Sequence, residues 1–265
     1  MSDIDSITDR FDLKDKVIIV TGGGVGIGKV YSESLTAVGA KVVIADIADN
    51  EAKDLSARLN EAGARTMAVR TDVADEASAV DMAEAAIEAF GRIDGLVNNA
   101  ALYVAIEERP WNEVPSDEWD RLMQVNLKGT YNCCKAVYPQ MKSQGKGKIV
   151  NIGSGTWLSG ANRRIHYTAS KAGIVGFSRA LSHSIGADGI NVNVLSPGST
   201  RSETLSRVTT EEFWQKRQKT MEATSAMRRY QVPEDLIGGL MFLLSSASDF
   251  YSGQNLNIDG GRNHL

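Results

Sequence analysis

The stretch Val17-Ile18-Ile19-Val20-Thr21-Gly22-Gly23-Gly24-Val25-Gly26-Ile27-Gly28-Lys29 decides the fold. Four consecutive aliphatic residues without a charge read as a strand buried on both faces. A glycine-rich turn follows, and then residues 27–38 have helix-forming composition. Glycines permit a tight turn and let a phosphate approach backbone N–H groups, while the start of the helix adds a favourable dipole for that anion. The spacing is G-x-x-x-G-x-G at Gly22, Gly26 and Gly28, not G-x-G-x-x-G. The segment also contains Gly23-x-x-x-x-Gly28-Lys29, the start of a P-loop. Val30 stands where such a loop needs Ser or Thr to hold Mg²⁺, which argues against an ATPase or kinase.

Working outward, residues 41–45, 66–70 and 95–97 read as strands, and residues 51–62 and 76–90 as helices. This alternation predicts a parallel sheet covered on both faces, doubly wound by right-handed crossovers. The pattern continues. Residues 116–142 read as one long helix with Ser116 as its N-cap, and residues 166–185 as another. Residues 148–152, 190–195 and 255–258 read as strands, and residues 233–245 as a helix with Pro233 in its first turn. The expected fold is α/β, a Rossmann-type doubly wound sheet of about seven mostly parallel strands flanked by helices. A single domain over residues 1–265 is the simplest organisation. One excursion, residues 199–229, fits no sheet element. It is rich in Arg and Lys, its interior (residues 210–226) has helical composition, and its length is that of a lid or binding loop.

Composition narrows the partners. The chain has 265 residues, 42% hydrophobic and 23% charged, with formal charge −4 and no block of like charge. Nucleic acid is therefore not an expected partner. Cys133 and Cys134 are adjacent and diverge on a helix, a poor disulfide that favours a cytoplasmic location. With His166, His183 and His264 they show no metal-ligand spacing, so no metal is expected. Residues 1–13 lack the apolar run of a secretory signal, and residues 236–247 are too short and serine-rich to span a bilayer.

Three positions point to chemistry. Asp46 ends the second strand. A carboxylate there accepts hydrogen bonds from an adenosine ribose and repels a 2′-phosphate, and Ile47, Ala48 and Asp49 supply no cation to hold one. The expected cofactor is NAD, the plainer reading of Asp46 being a turn or capping residue. Tyr167 and Lys171 are four apart on a helix and share a face. Ionising a tyrosine at neutral pH costs about 4 kcal/mol, and a neighbouring cation lowers that cost. Such a pair can exchange a proton with a substrate oxygen while hydride moves, although Tyr-x-x-x-Lys is also common on solvated helix faces. Ser154 follows the strand at 148–152 and lies near the carboxyl edge of the sheet, where ligands bind in this architecture. Ile152 at the first glycine position of G-x-S-x-G rules out a hydrolase elbow.

Taken together, the chain resembles the short-chain dehydrogenase/reductase family from about residue 13 to residue 261. The resemblance is carried by Thr21-Gly22-x-x-x-Gly26-Ile27-Gly28, Asp72, Asn98-Asn99-Ala100, Asn126, Ser154, Tyr167, Lys171, Pro197-Gly198 and Gly253-Gln254…Asp259-Gly260-Gly261. It implies that Tyr167 is the general acid/base, and that Lys171 lowers its pKa and binds the nicotinamide ribose. It implies that Ser154 orients the substrate oxygen, and that Asn126 holds a water linking Lys171 to solvent. It also implies adenine contacts from Asp72 and Val73, an adenosine-side place for Asn99 and Ala100, and a nicotinamide wall of Pro197 and Gly198. The threonine that bonds the carboxamide in the family corresponds to Thr200 or Ser202. Ala101 replaces a frequent glycine, and residues 162–166 are unusually basic.

For the small-molecule substrate, Trp157, Arg163 and Arg164 are the contact candidates. Arg201 is a further cation, and Tyr103, Trp111, Phe213, Trp214, Met221 and Met227 are possible walls. The plainer readings are core packing for the aromatic residues and a solvated or subunit-facing cluster for the arginines. The expected activity is an NAD-dependent alcohol dehydrogenase or ketone reductase acting on a secondary alcohol or its ketone. The alternatives are a 3-oxoacyl-thioester reductase and a non-catalytic dinucleotide-binding regulatory protein. The resemblance implies a homotetramer.

Overall fold

The computed structural model describes residues 7–263; residues 1–6, His264 and Leu265 lie outside the described residues. The strands are β1 (Val17–Thr21), β2 (Lys41–Asp46), β3 (Arg65–Arg70), β4 (Gly95–Asn98), β5 (Gly147–Ile152), β6 (Ile190–Pro197) and β7 (Asn255–Ile258). They form one sheet in the order β3-β2-β1-β4-β5-β6-β7, with every pair parallel. The order reverses between β1 and β4, so a crevice opens at their carboxyl ends.

The continuous apolar run of β1 follows from this placement. Val17 and Ile19 join Val43, Ile149 and Val192 in a core beneath Met82, Ala86, Val137 and Met141. Ile18 and Val20 point the other way, with Val42, Ile44 and Val150, onto Tyr31, Leu35, Leu240 and Leu243. A strand with helices on both faces has no polar side to display. The covering helices are α1 (Gly26–Ala37), α2 (Asp49–Glu61), α3 (Glu76–Phe90), α4 (Ser116–Met123), α5 (Gly129–Gln144), a short α6 (Thr156–Ser159), α7 (Ile165–Ile185) and α10 (Ile237–Leu244). Cys133 and Cys134 are buried free thiols on α5, and burial pushes the Cys133 thiol up to about 12.

The helix expected over residues 116–142 is interrupted. A π-helical turn, Gln124–Lys128, separates α4 from α5. Such a turn inserts one extra residue and rotates everything after it, which periodicity averaged over a long window does not register. Ser116 is the first helical residue rather than the cap; Pro115 occupies the cap position and no side chain caps this helix. At the other end of the chain, Pro233–Leu236 form a 3₁₀ turn before α10.

The excursion contains α8 (Glu203–Ser206) and α9 (Glu211–Thr224), placed after Pro197 of β6. Ser202 caps α8 by accepting from Leu205 N at 3.3 Å, and Thr210 caps α9 by accepting from Phe213 N at 3.2 Å. α9 buries only Trp214 and Met221. Trp214 is clasped by Arg201, whose guanidinium lies 5.1 Å from the indole and 5.4 Å from the Tyr230 ring and donates to the Tyr230 hydroxyl at 2.8 Å.

Candidate active site

A cleft of about 700 Å³ runs along the carboxyl edge of the sheet. Its floor comes from the ends of β1, β2, β4, β5 and β6, and α8 covers part of it. Gly22 and Gly26 take φ of +60° and +58°, a left-handed conformation that favours glycine. A Cβ at Gly28 would collide with the Gly22 carbonyl, so α1 begins pressed directly against the turn. Gly22, Gly26 and Ile27 line the cleft, while Gly28 lies behind it. The cap residue Val25 offers no side-chain hydrogen bond, which leaves the first N–H groups of α1 open to an anion.

Asp46 is 5% exposed, with both oxygens directed by backbone. Oδ2 accepts from Gly24 N at 2.8 Å and Oδ1 from Ala48 N at 2.9 Å. Asp72, Val73 and Ala100 line the same cleft. Asn99 lines it and also braces the turn, its Nδ2 donating to the carbonyls of Thr21 and Gly22 at 3.1 and 3.0 Å. The Thr21 hydroxyl accepts from Asn99 N and Ala100 N at 3.0 and 3.1 Å, tying β1 to β4 at the switch point. Pro197, Gly198, Thr200 and Ser202 all line the far wall. Thr200 Oγ1 bonds Gln231 Oε1 at 2.9 Å, and Ser202 is committed to its capping bond.

Ser154, Tyr167 and Lys171 converge on this cleft, although they come from β5's end and from α7. They are 9%, 8% and 3% exposed, so little water screens them. Ser154 Oγ accepts from Thr156 Oγ1 at 3.1 Å. Lys171 Nζ donates to the Ile152 carbonyl at 2.7 Å and stands 5.7 Å from the Tyr167 ring centre. Burial draws the Lys171 ammonium down to about 8. Burial pushes the Tyr167 hydroxyl up and Tyr103 adds to this, while a hydrogen bond with Ser154 and the charge of Arg164 pull it down. The protein's own groups therefore leave Tyr167 above its ordinary value, opposite to the lowering expected from Lys171. Lys171 is not among the groups that act on this hydroxyl, its ammonium being held by the Ile152 carbonyl rather than by the phenol.

Asn126 sits on the π-turn, fully buried, and does not line the cleft. Oδ1 accepts from Leu102 N at 2.7 Å; Nδ2 donates to the Leu102 carbonyl at 3.2 Å and to Ser170 Oγ at 3.3 Å. Its amide is engaged mainly with the loop after β4, and Oδ1 keeps a second lone pair beyond its bond from Leu102 N. Its observed contact is to Leu102, which does line the cleft.

The three expected substrate contacts lie elsewhere. Trp157 packs on Ile174, Val175 and Val194. Arg163 is exposed on the surface. Arg164 lies 4.4 Å over the Tyr103 ring and pairs with Glu108 at 3.4 Å. Tyr103 in turn packs on Tyr167 with ring centres 4.9 Å apart, so Arg164 reaches the site only through an aromatic neighbour. Apolar side chains on a short helix turn toward the sheet, and an arginine beside a glutamate finds that partner first. Of the possible walls, Tyr103 lines the cleft; Trp111, Phe213 and Met227 are exposed, and Trp214 and Met221 are buried under α9.

Several site residues had no local signal. Arg121, Arg217, Thr204, Arg262 and Asn263 all line the cleft. Thr204 reaches it because a Cβ at Gly26 would touch its hydroxyl, which places α8 over the glycine turn. His166 is wholly buried behind Tyr167, with Nε2 3.0 Å from Glu118 Oε1 in a geometry poor for a hydrogen bond. Among the described residues no group of three or more His, Cys, Asp or Glu could hold a metal, and no helix is long and apolar enough to cross a membrane.

Comparison with known proteins gives this arrangement a family. The short chain dehydrogenase family matches residues 16–212. An uncharacterized oxidoreductase of Mycobacterium tuberculosis is 38% identical over 248 residues, covering 93% of this chain and 97% of that protein. Among solved structures, 7α-hydroxysteroid dehydrogenase complexed with NADH and 7-oxo glycochenodeoxycholic acid is 30% identical, with TM-score 0.88, covering 97% of this chain and 98% of that one. A gluconate 5-dehydrogenase from Burkholderia cenocepacia in complex with NADP and tartrate is 31% identical, with TM-score 0.87, covering 95% and 96%. The chain belongs to the short-chain dehydrogenase family and is an oxidoreductase of that family. The family binds a nicotinamide dinucleotide. The positive-φ glycines, the uncapped start of α1 and the buried Asp46 form a cradle that fits such a molecule.

Proposed function

We propose that this protein is an NAD-dependent alcohol dehydrogenase or ketone reductase that moves hydride between a secondary alcohol, or its ketone, and the nicotinamide, with Tyr167 as general acid/base. The observation that carries it is the convergence of Ser154, Tyr167 and Lys171, all buried, on a cleft whose other end holds Asp46. When bound, the dinucleotide supplies the hydride acceptor or donor. The protein's residues do the rest. Ser154 Oγ orients the substrate oxygen, and Tyr167 takes the alcohol proton in oxidation or returns it in reduction. Lys171, anchored on the Ile152 carbonyl, places a cation beside the phenol and is available to the nicotinamide ribose. Asn126 is a positioning residue that holds Leu102 in the wall.

Gly22, Gly26, Ile27 and Gly28 shape the pyrophosphate cradle, Asp72, Val73, Asn99 and Ala100 flank adenosine, and Pro197, Gly198 and Thr200 form the nicotinamide wall. NAD is favoured over NADP because Asp46 presents a carboxylate where a 2′-phosphate would stand. The basic cleft-lining residues among those described are Arg121, Lys171, Arg217 and Arg262, none of them on β2 or the segment after it. The protein acts as one cytoplasmic catalytic domain and assembles as a homotetramer, which light scattering tests directly.

The deciding experiment is a fluorescence titration with NADH and NADPH followed by turnover of secondary alcohols with NAD. Tighter NADH binding with turnover is expected, and Asp46→Ala narrows the gap. A preference for NADPH overturns the cofactor assignment, and near-normal turnover by Tyr167→Phe overturns the mechanism.

A further inference from the structure

The charges lining the cleft are unevenly placed. Its carboxylates, Asp46 at the end of β2 and Asp72 after β3, lie at one side of the sheet. Arg217 and Arg262 belong to α9 and to the segment after β7, at the other side. Arg217 Nε donates to Ser199 Oγ at 2.7 Å, which fixes the guanidinium two residues beyond Pro197 and leaves its two amino groups without a described partner. Arg262 is half-buried beside Asp259. That carboxylate is occupied: it accepts from Gly261 N and Arg262 N at 3.0 Å each, from Asn263 N at 2.9 Å and from Asn263 Nδ2 at 2.7 Å. Neither guanidinium has an ion-pair partner among the described residues. Three other arginines of the same excursion do: Arg201 pairs with Glu211 at 3.2 Å, Arg229 with Asp235 at 2.7 Å and Arg207 with Glu203 at 2.6 Å, while Arg228 is exposed and lies outside the cleft.

Two half-buried like charges facing one space repel. Burial first, and then the charge of Arg217, pull Arg262 below the ordinary arginine value. An oxyanion between them would relieve both effects and take up donors that are otherwise idle. Chain neighbours of the pair adjoin the reacting group. A Cβ on Gly155, next to Ser154, would lie 3.2 Å from Asn263 Nδ2, and Gly155 N donates to the Pro197 carbonyl at 2.9 Å.

We propose that Arg217 and Arg262 form an anion site for the substrate, so that the secondary alcohol or ketone handled at Ser154 and Tyr167 carries a carboxylate. This rests on the dehydrogenase reading above. The competing source of an oxyanion in the same cleft is the cofactor's own phosphate, and the test separates the two.

The probes are 3-hydroxybutyrate, mandelate and 4-hydroxycyclohexanecarboxylate, each beside its methyl ester, with NAD as oxidant. Ester and acid differ chiefly in charge. A preference for the acids of about tenfold or more in kcat/KM is expected, collapsing in Arg217→Gln and Arg262→Gln, while NADH Kd stays within about twofold. Equal turnover of acids and esters overturns the anion site and leaves the dehydrogenase standing. Weakened NADH binding in the variants reassigns the arginines to the cofactor and overturns it equally. If no probe is oxidised, calorimetry of cyclohexanecarboxylate binding to the NADH complex decides: binding lost in both variants sustains the site, and no binding to the parent protein overturns it, while the dehydrogenase reading is judged separately by the secondary-alcohol turnover described above.

Discussion

The two ends of the cleft are built by different means. At the Asp46 end, every placed group sits on or directly after a strand and is held by backbone. The carboxylate is gripped by two N–H groups, and Asn99 and Thr21 lash the turn to β4. At the Arg217 end, the wall is an excursion fastened by side chains. Arg201 is clasped by Trp214 and Tyr230, Arg217 rests on Ser199, and an exposed Lys29–Glu203 pair at 3.2 Å joins α8 to α1. Strand ends are fixed by a ladder of hydrogen bonds that tolerates little displacement, whereas packed side chains can be exchanged without disturbing the sheet. The proposed proton-transfer residues sit between the two, just after β5 and on α7, where they share the rigidity of the sheet. On the proposed function, selection of a substrate falls to the excursion.

The contrast can be attacked in order of effect. Tyr167→Phe removes the proposed proton-transfer group from the rigid part; turnover is expected to fall about 10²–10⁴-fold with NADH affinity nearly unchanged, read by steady-state kinetics and fluorescence titration. If NADH binding falls equally, the tyrosine is part of the wall and not a separate chemical group. Lys171 gives a pH signature. In the unfolded chain its ammonium holds a proton up to the model-peptide value of 10.5, whereas in the folded protein it releases it near 8. Between those values the unfolded state binds more protons, so the contribution to stability rises with pH, by on the order of 3 kcal/mol in all. Lys171→Met is expected to remove that rise, checked by urea unfolding of both proteins from pH 7 to pH 10.

Asn126→Ala leaves a part-buried Leu102 N–H without its acceptor. A loss of about 1–3 kcal/mol is expected by urea unfolding, together with a raised KM, because Leu102 lines the cleft. An unchanged KM would confine Asn126 to stability alone. The smallest effect belongs to Arg163→Ala. Its side chain is exposed and outside the cleft, so stability is expected within about 0.5 kcal/mol of the parent and kinetics within twofold. A large kinetic loss there would return the basic run at 162–166 to the site.

The arginines show why part of the cleft was hard to read. Arg163 and Arg164 adjoin Tyr167 in sequence, yet one faces solvent and the other lies on Tyr103. Arg217 and Arg262 stand 45 residues apart in the chain with no motif joining them, yet they line one wall. Proximity in sequence says where the backbone goes; it does not say which way a long side chain turns or which carboxylate reaches it first.

What the sequence by itself determined is whatever local chemistry forces. Aliphatic runs covered on both sides specify the parallel sheet, and glycines at positive φ specify the turn. Asp46 at a strand end, Ser154 after β5 and Tyr167 with Lys171 one helical turn apart were legible because their spacing follows the regular geometry of strands and helices. The tertiary structure alone decided the π-turn under Asn126, the raised hydroxyl of Tyr167, the packing of Trp157 on Ile174, Val175 and Val194 and the meeting of Arg217 and Arg262 on one wall of the cleft. Each of these depends on burial or on contacts between distant segments, and neither exists until the sheet has brought those segments together.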